Sequence, residues 1–255
     1  MQEKIKKISE LAQLFAKYKI YPKDCYNDCS PLMVFQRMFS QNHYSKDLET
    51  FLSYQNYKPT QRGADLPWWG KSFFLRNPGF RTLIIGQDST YNDAGSIVLA
   101  AEFFPNVNQE KYQEFIDGME VSRYFGFNKW KRARDQFVDW GIDFDFLYIT
   151  DASKVYKEGS WKNWDFDRKK SRELLENEIE FCNPDLIILL GTSPLYLLDN
   201  STDYASIVEA GKPISVLKRN CVVAPFFLGN GLTQPNFRKR LDIATNLIRK
   251  EVLKC

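Results

Sequence analysis

Read for its hydrophobic and polar positions, the chain shows four short apolar runs, each closed by a turn or a polar residue and separated by stretches of helical period. Thr82-Leu83-Ile84-Ile85 stops at Gly86, and Phe146-Leu147-Tyr148-Ile149-Thr150 delivers Asp151-Ala152-Ser153-Lys154. Leu186-Ile187-Ile188-Leu189-Leu190 stops at Gly191, and Cys221-Val222-Val223-Ala224 runs into Pro225. Such β-branched and aliphatic runs predict buried strands. Between and around them, apolar residues at spacings of three and four predict helices over 2–18, 108–117, 129–140, 167–181 and 235–253. Gly141 reads as the stop of the helix over 129–140, and Asn183-Pro184-Asp185 as the stop of the next. Ser193 before Pro194 reads as the N-cap of a short helix reaching Leu198.

Strand alternating with helix is the pattern of an α/β fold. It predicts a single domain with a central four-stranded, mainly parallel sheet and helices on both faces. No repeat, low-complexity segment or Gly/Ser linker divides the 255 residues, so residues 1–255 are expected to form one domain, with residues 1–60 a helical N-terminal extension. In such a sheet the strands open at one edge, so the loops that begin at Gly86, Asp151, Gly191 and Ala224 should lie together. The first of these carries the densest run of polar chemistry, from Gln87 and Asp88 through Tyr91 to Asn92 and Asp93.

Composition narrows the function classes. A net charge of +3 argues against a strongly basic nucleic-acid coat while leaving room for a local patch. No apolar run is long enough to span a bilayer and the N-terminus lacks a secretory signal, so a cytoplasmic protein is expected, without a membrane partner. Its five cysteines, an odd number, read as reduced thiols. A metal site would require Cys182 and Cys221 to converge on the Cys25/Cys29 pair, and none is expected. With His43 as the single histidine, multi-histidine metal sites are excluded. The basic run Lys129, Lys131, Arg132, Arg134 beside Trp130 reads either as a phosphate-tracking face or as an ordinary solvated one.

The four strand-end segments, in this order, resemble the uracil-DNA glycosylase superfamily over about residues 65–250. Thr82 to Asp88 looks like its first motif, an apolar strand running into Gly-Gln-Asp. Tyr148 to Lys154 looks like the strand end that normally carries a base-reading Asn. Leu186 to Gly191 resembles its apolar strand ending in glycine, and Ala224-Pro225 with Leu228 falls where a His-Pro-Ser loop and an apolar wedge stand. The resemblance implies hydrolysis of an N-glycosidic bond of a flipped-out base in DNA. Asp88 would activate water, Gln87 would offer a backbone donor, and Asn230 would be a substitute donor to the base. Asp151 would read the base edge in a pocket bounded by Gly86 and Tyr91, with Phe103 or Phe104 as stacking ring or as plain core. Leu228 would be the wedge, and Lys154, Ser193, Lys129, Arg132, Arg238 and Arg240 would contact DNA, single- or double-stranded. No cofactor, iron–sulfur clusters included, is implied, and the protein is expected to be a monomer.

Three departures from the pattern bear on the chemistry. Ala224 stands at the histidine position, Asp151 replaces the Asn, and Ser89-Thr90-Tyr91 follows Asp88 in place of Pro-Tyr-His. A carboxylate only accepts hydrogen bonds, so Asp151 suits an exocyclic amine better than a uracil edge. Two other readings stand beside the enzyme: a glycosylase-type fold that binds nucleic acid or a protein without catalysis, and an unrelated small-molecule enzyme or nucleotide binder on a flavodoxin-like sheet.

Overall fold

The computed structural model describes residues 7, 10, 11, 14, 67–70, 72–75, 79–87, 127–152, 168–201 and 203–254. At 68, 127–131, 170, 229 and 230 it describes the backbone only. The expected helix over 108–117 and the site calls on Asp88, Tyr91, Phe103, Phe104 and Lys154 lie outside the described residues.

Six strands form one sheet: β1 (Trp68–Trp69), β2 (Thr82–Gly86), β3 (Leu147–Asp151), β4 (Leu186–Leu190), β5 (Ile214–Val216) and β6 (Arg219–Ala224), in the order β1-β3-β2-β4-β6-β5. The four strands expected from the apolar runs are the parallel centre, β3-β2-β4-β6. The expectation of a four-stranded sheet is corrected at both edges, where β1 pairs antiparallel with β3 and β5 antiparallel with β6. Every residue of β2 and β4 is buried, as strands covered on both faces require.

The helices are α1 (Phe127–Asp139), α2 (Arg168–Cys182), α3 (Thr192–Asp199), α4 (Tyr204–Glu209) and α5 (Phe237–Val252). On α1, Ala133 and Phe137 are buried on one stripe that continues to Trp140 just beyond its end. That helix stops where Gly141 takes φ +76, and the Ile142 N–H reaches back to Phe137 O at 3.1 Å. On α2 the buried stripe is Ser171, Leu174, Leu175, Glu178, Ile179 and Cys182, and Asn183 ends it at φ 47. At the N-terminus Leu11 is helical and fully buried, and Lys7 sits 4.7 Å from the Phe181 ring centre on α2.

Two helical layers enclose the sheet. Trp140 Nε1 donates to Thr245 Oγ1 at 2.9 Å, and Arg249 Nε donates to the Asp139 carbonyl at 2.6 Å, so the C-terminal end of α1 meets α5. Arg172 joins α2 to the end of α3 through the Leu198 carbonyl at 3.2 Å. The chain passes from β2 back to β3 by way of α1 and from β3 across β2 to β4 by way of α2, and the right-handed rule for such crossovers assigns α1 and α2 to opposite faces. Tyr148, fully buried on β3, faces α2: its hydroxyl donates to Glu178 Oε1 at 2.5 Å, and Trp69 stacks on it at 6.0 Å between ring centroids. Cys182 on α2 and Cys221 on β6 are buried, and neither is in a disulfide. No helix among the described residues is long and apolar enough to cross a membrane.

Candidate functional site

Numbered among themselves, the parallel strands run 2-1-3-4, the doubly wound order whose chain direction reverses between its first and third strands. Here those are β2 and β4, so the crevice expected of such a sheet opens between Gly86-Gln87 and Gly191-Thr192-Ser193. Backbone bonds stitch the strand ends beside it: Ala152 N–H to Gly86 O at 3.0 Å and Gly191 N–H to Ala224 O at 2.8 Å. The strand ends expected to lie together therefore do so.

Gly86 and Asp151 are direct cross-strand partners. A Cβ on Gly86 would lie 2.1 Å from Asp151 Oδ1, so the half-buried carboxylate occupies the space that a side chain at 86 would need. Glycine is favoured there by close approach, not by backbone angle. Gln87, the first residue past β2, is half-buried, and its Oε1 accepts from Ser193 Oγ at 2.6 Å. That bond spans the β2–β4 crevice between residues 106 apart in sequence.

Ser193 departs from its expected role as an N-cap. The N-cap of α3 is Gly191, at φ 85 and without a side-chain cap bond, so Ser193 already lies inside the first turn. Its side chain is directed to Gln87, and the residue is only 9% exposed.

Ala224 ends β6 fully buried, so no polar side chain reaches the crevice from that position. In the loop that follows, Phe227 turns inward between Phe137 and Trp140, with ring centroids at 6.0 and 5.4 Å. Leu228, the expected wedge, is half-buried against the core, while Phe226 is the more exposed apolar residue at 37%. Phe226 lies across Gly191, its Cβ 3.4 Å from where a Gly191 Cβ would stand. Its signal was present in the sequence, directly after Pro225, but nothing in the pattern distinguished it from its buried neighbour Phe227. Asn230 belongs to the 3₁₀ turn Gly229–Thr233, and only its backbone is described.

The basic candidates divide. Arg132 on α1 and Arg238 in the first turn of α5 are exposed, and Lys129 is described only as helical backbone. Arg240 is committed elsewhere: it is 13% exposed, donates to Glu209 Oε1 at 2.9 and 2.8 Å through Nε and Nη2, and lies over the Tyr204 ring at 5.6 Å. The hydrogen bond from Arg240, helped by Lys239, holds the Glu209 carboxyl below the usual range. Recruiting Arg240 to a phosphate would first break that pair.

Among the described residues no group of three or more His, Cys, Asp or Glu side chains is arranged to hold a metal ion. No protein-family model matches this chain, and no curated protein matches it.

Proposed function

We propose that this protein is a glycosylase that hydrolyses the N-glycosidic bond of a damaged or deaminated base in DNA. One observation supports this reading above the others. The Gly86-Gln87 turn, which leads directly into Asp88, lies at the reversal point of the sheet with the Asp151 carboxylate against Gly86. A base extruded into the crevice would meet Gln87 and Asp151, while Asp88 positions and activates the attacking water. Anionic Asp88 would also stabilise the oxocarbenium-like sugar. Among the described residues, Arg132 and Arg238 are exposed cations that could meet the DNA backbone.

The test is base release from single-stranded and duplex oligonucleotides carrying uracil, cytosine, hypoxanthine, xanthine or mismatched thymine. Asp88→Asn should lower release by about 100-fold or more while leaving oligonucleotide affinity unchanged. Release that survives this substitution would remove Asp88 from the chemistry. A second reading, binding without catalysis, is favoured by the buried alanine at 224, which leaves the crevice without the expected base-stabilising imidazole. Silence across the panel with salt-dependent binding retained would select it.

A further inference from the structure

We propose that Arg168 and Lys169, at the start of α2, bind phosphates of a nucleic-acid strand that crosses the crevice towards Arg132 and Arg238. This rests on the nucleic-acid part of the reading above and not on its chemistry.

The order of charge along the helices argues for it first. On α1 the cations Lys129, Lys131, Arg132 and Arg134 all precede the carboxylates Asp135 and Asp139. On α2, Arg168, Lys169, Lys170 and Arg172 all precede Glu173, Glu176, Glu178 and Glu180. Neither helix has an acidic residue in its first turn or a basic one in its last. The helix dipole favours the opposite order, with carboxylates at the start and cations at the end. Side-chain pairing favours it too, since a glutamate four residues before its cation is the better arrangement. Arg172–Glu176, at 2.7 Å, runs the other way. Asp165 and Asp167 stand just before α2 in the sequence and lie outside the described residues. Two helices that forgo the same favourable order hold their cations at one end for a partner outside the fold.

Connectivity puts those ends at the crevice. The end of α2 leads through Asn183-Pro184-Asp185 into the start of β4, and the end of α1 leads into the start of β3. Both helices therefore begin towards the carboxyl edge of the sheet. Helix α5 sets out from that edge after β6, and its far end meets that of α1 through Arg249 and Asp139, so the two run in the same direction. Arg132 and Arg238 accordingly stand towards the same end of their layer, both exposed. Arg168 and Lys169 are exposed as well, and the Arg168 guanidinium lies 5.8 Å from the centre of the Tyr196 ring. Tyr196 is one turn along α3 from Ser193, whose hydroxyl meets Gln87 across the crevice. An aromatic ring thus holds Arg168 beside the crevice.

The occupant follows from how the charge is spread. The crossover rule assigns α1 and α2 to opposite faces, so the two groups of cations flank the crevice from either side. Glu209 takes Arg240 and lies near Lys239, which leaves Arg238 as the first-turn cation that α5 offers. A single phosphate cannot reach both faces. A nucleic-acid strand, with a charge about every 3.4 Å, can.

The experiment measures binding of a labelled single strand of about 16 nucleotides, and of its duplex, over a range of salt. Arg168→Gln with Lys169→Gln removes both charges and keeps good helix formers. Two lost phosphate contacts should weaken single-strand binding about 10-fold or more at low salt and flatten the log–log salt slope by about 1.4. The urea midpoint should hold or rise, because cations have left a helix N-terminus. Arg168→Lys with Lys169→Arg keeps both charges and should keep most of the affinity.

Unchanged affinity and slope in the Gln pair overturn the proposal, as does an equal loss in the charge-keeping pair. A wild type that binds neither strand nor duplex overturns it, and so does a wild-type slope of about 0.7, which would count one phosphate only. Base release plays no part in these readouts. Release by wild type, with binding unchanged in the Gln pair, keeps the glycosylase reading and ends this one. Silence in release, with the expected loss of binding, does the reverse.

Discussion

Two hydrogen bonds of similar length join side chains far apart in sequence, and their surroundings give them different consequences. Tyr148 Oη to Glu178 Oε1, at 2.5 Å, lies where both residues are 0% exposed. Ser193 Oγ to Gln87 Oε1, at 2.6 Å, lies at the carboxyl edge with Gln87 half-buried. Burial makes the first a condition for packing α2 onto β3, because a polar group in a low-dielectric interior is costly once it loses a partner. The second lies at the edge of the sheet, where water can replace a lost partner of the half-buried Gln87, so it bears less on stability. Chemistry at a strand end can vary without endangering the fold. Chemistry beneath the sheet cannot.

The largest effect expected from breaking this contrast is at Tyr148. Tyr148→Phe takes from Glu178 a donor inside the core and should destabilise the protein by about 1–3 kcal/mol, read by urea denaturation. Ser193→Ala should cost at most about 1.5 kcal/mol in the same assay. Equal costs for the two variants would dissolve the distinction.

Alkaline titration sharpens it from the core side. Burial, then the charges of Glu178 and Cys182, hold the Tyr148 hydroxyl well above its ordinary value of 10.0. Burial likewise pushes the Cys221 thiol up from 9.0, with Asp199 adding to it. Tyr204, less deeply placed, is pushed up to about 12 by burial against the opposing charge of Arg240. In each case the native state keeps a proton that the unfolded chain releases. This stabilising contribution is therefore complete below about pH 9 and is lost as pH rises through 9 and 10 towards the folded-state values. Each buried group adds at most about 1.4 kcal/mol of lost stability per pH unit. Unfolding midpoints measured from pH 8 to 11 should fall accordingly, and less steeply in Tyr148→Phe. A flat profile would mean that these groups ionise as freely in the fold as outside it.

The smallest stability effect with a readable consequence belongs to Gly86. In Gly86→Ala the new methyl would meet the Asp151 carboxylate, whose free end can swing away. The expected cost is about 1 kcal/mol or less, with ligand or base preference altered because Asp151 has moved. Unchanged preference would separate Asp151 from recognition.

How much of this was legible follows from where the deciding contacts lie. The centre of the sheet could be read because β2 and β4 are buried along their whole length, and β3 and β6 carry the apolar runs Leu147-Tyr148-Ile149 and Cys221-Val222-Val223-Ala224. Helices α1, α2 and α5 could be read because one stripe of each meets that sheet, and the stops at Gly141 and Asn183 because their backbones enter the left-handed region at φ 76 and 47. The edge strands could not. β1 is two tryptophans whose pairing comes from Ile149 and Tyr148, far along the chain. β5 returns through Leu217 and Lys218, at φ 48 and 62, in a tight turn that carries neither the Gly nor the Asn that usually announces one. Helix α4 is only six residues long, although Asp203 caps it by accepting from Ser206 N–H at 3.3 Å.

The same division runs through the site. Apolar runs ending in turns were enough to bring Gly86, Asp151, Gly191 and Ala224 to one edge, because each ends or directly follows a strand whose direction the parallel pattern dictates. What each side chain does there depends on partners that local pattern cannot name. Ser193 meets Gln87 across the crevice, Arg240 meets Glu209 from the neighbouring helix, and Phe226 stays outside while Phe227 turns in. Periodicity records which face of an element is buried. Only the packed structure decides which polar groups, brought within hydrogen-bonding distance by that burial, take each other as partners.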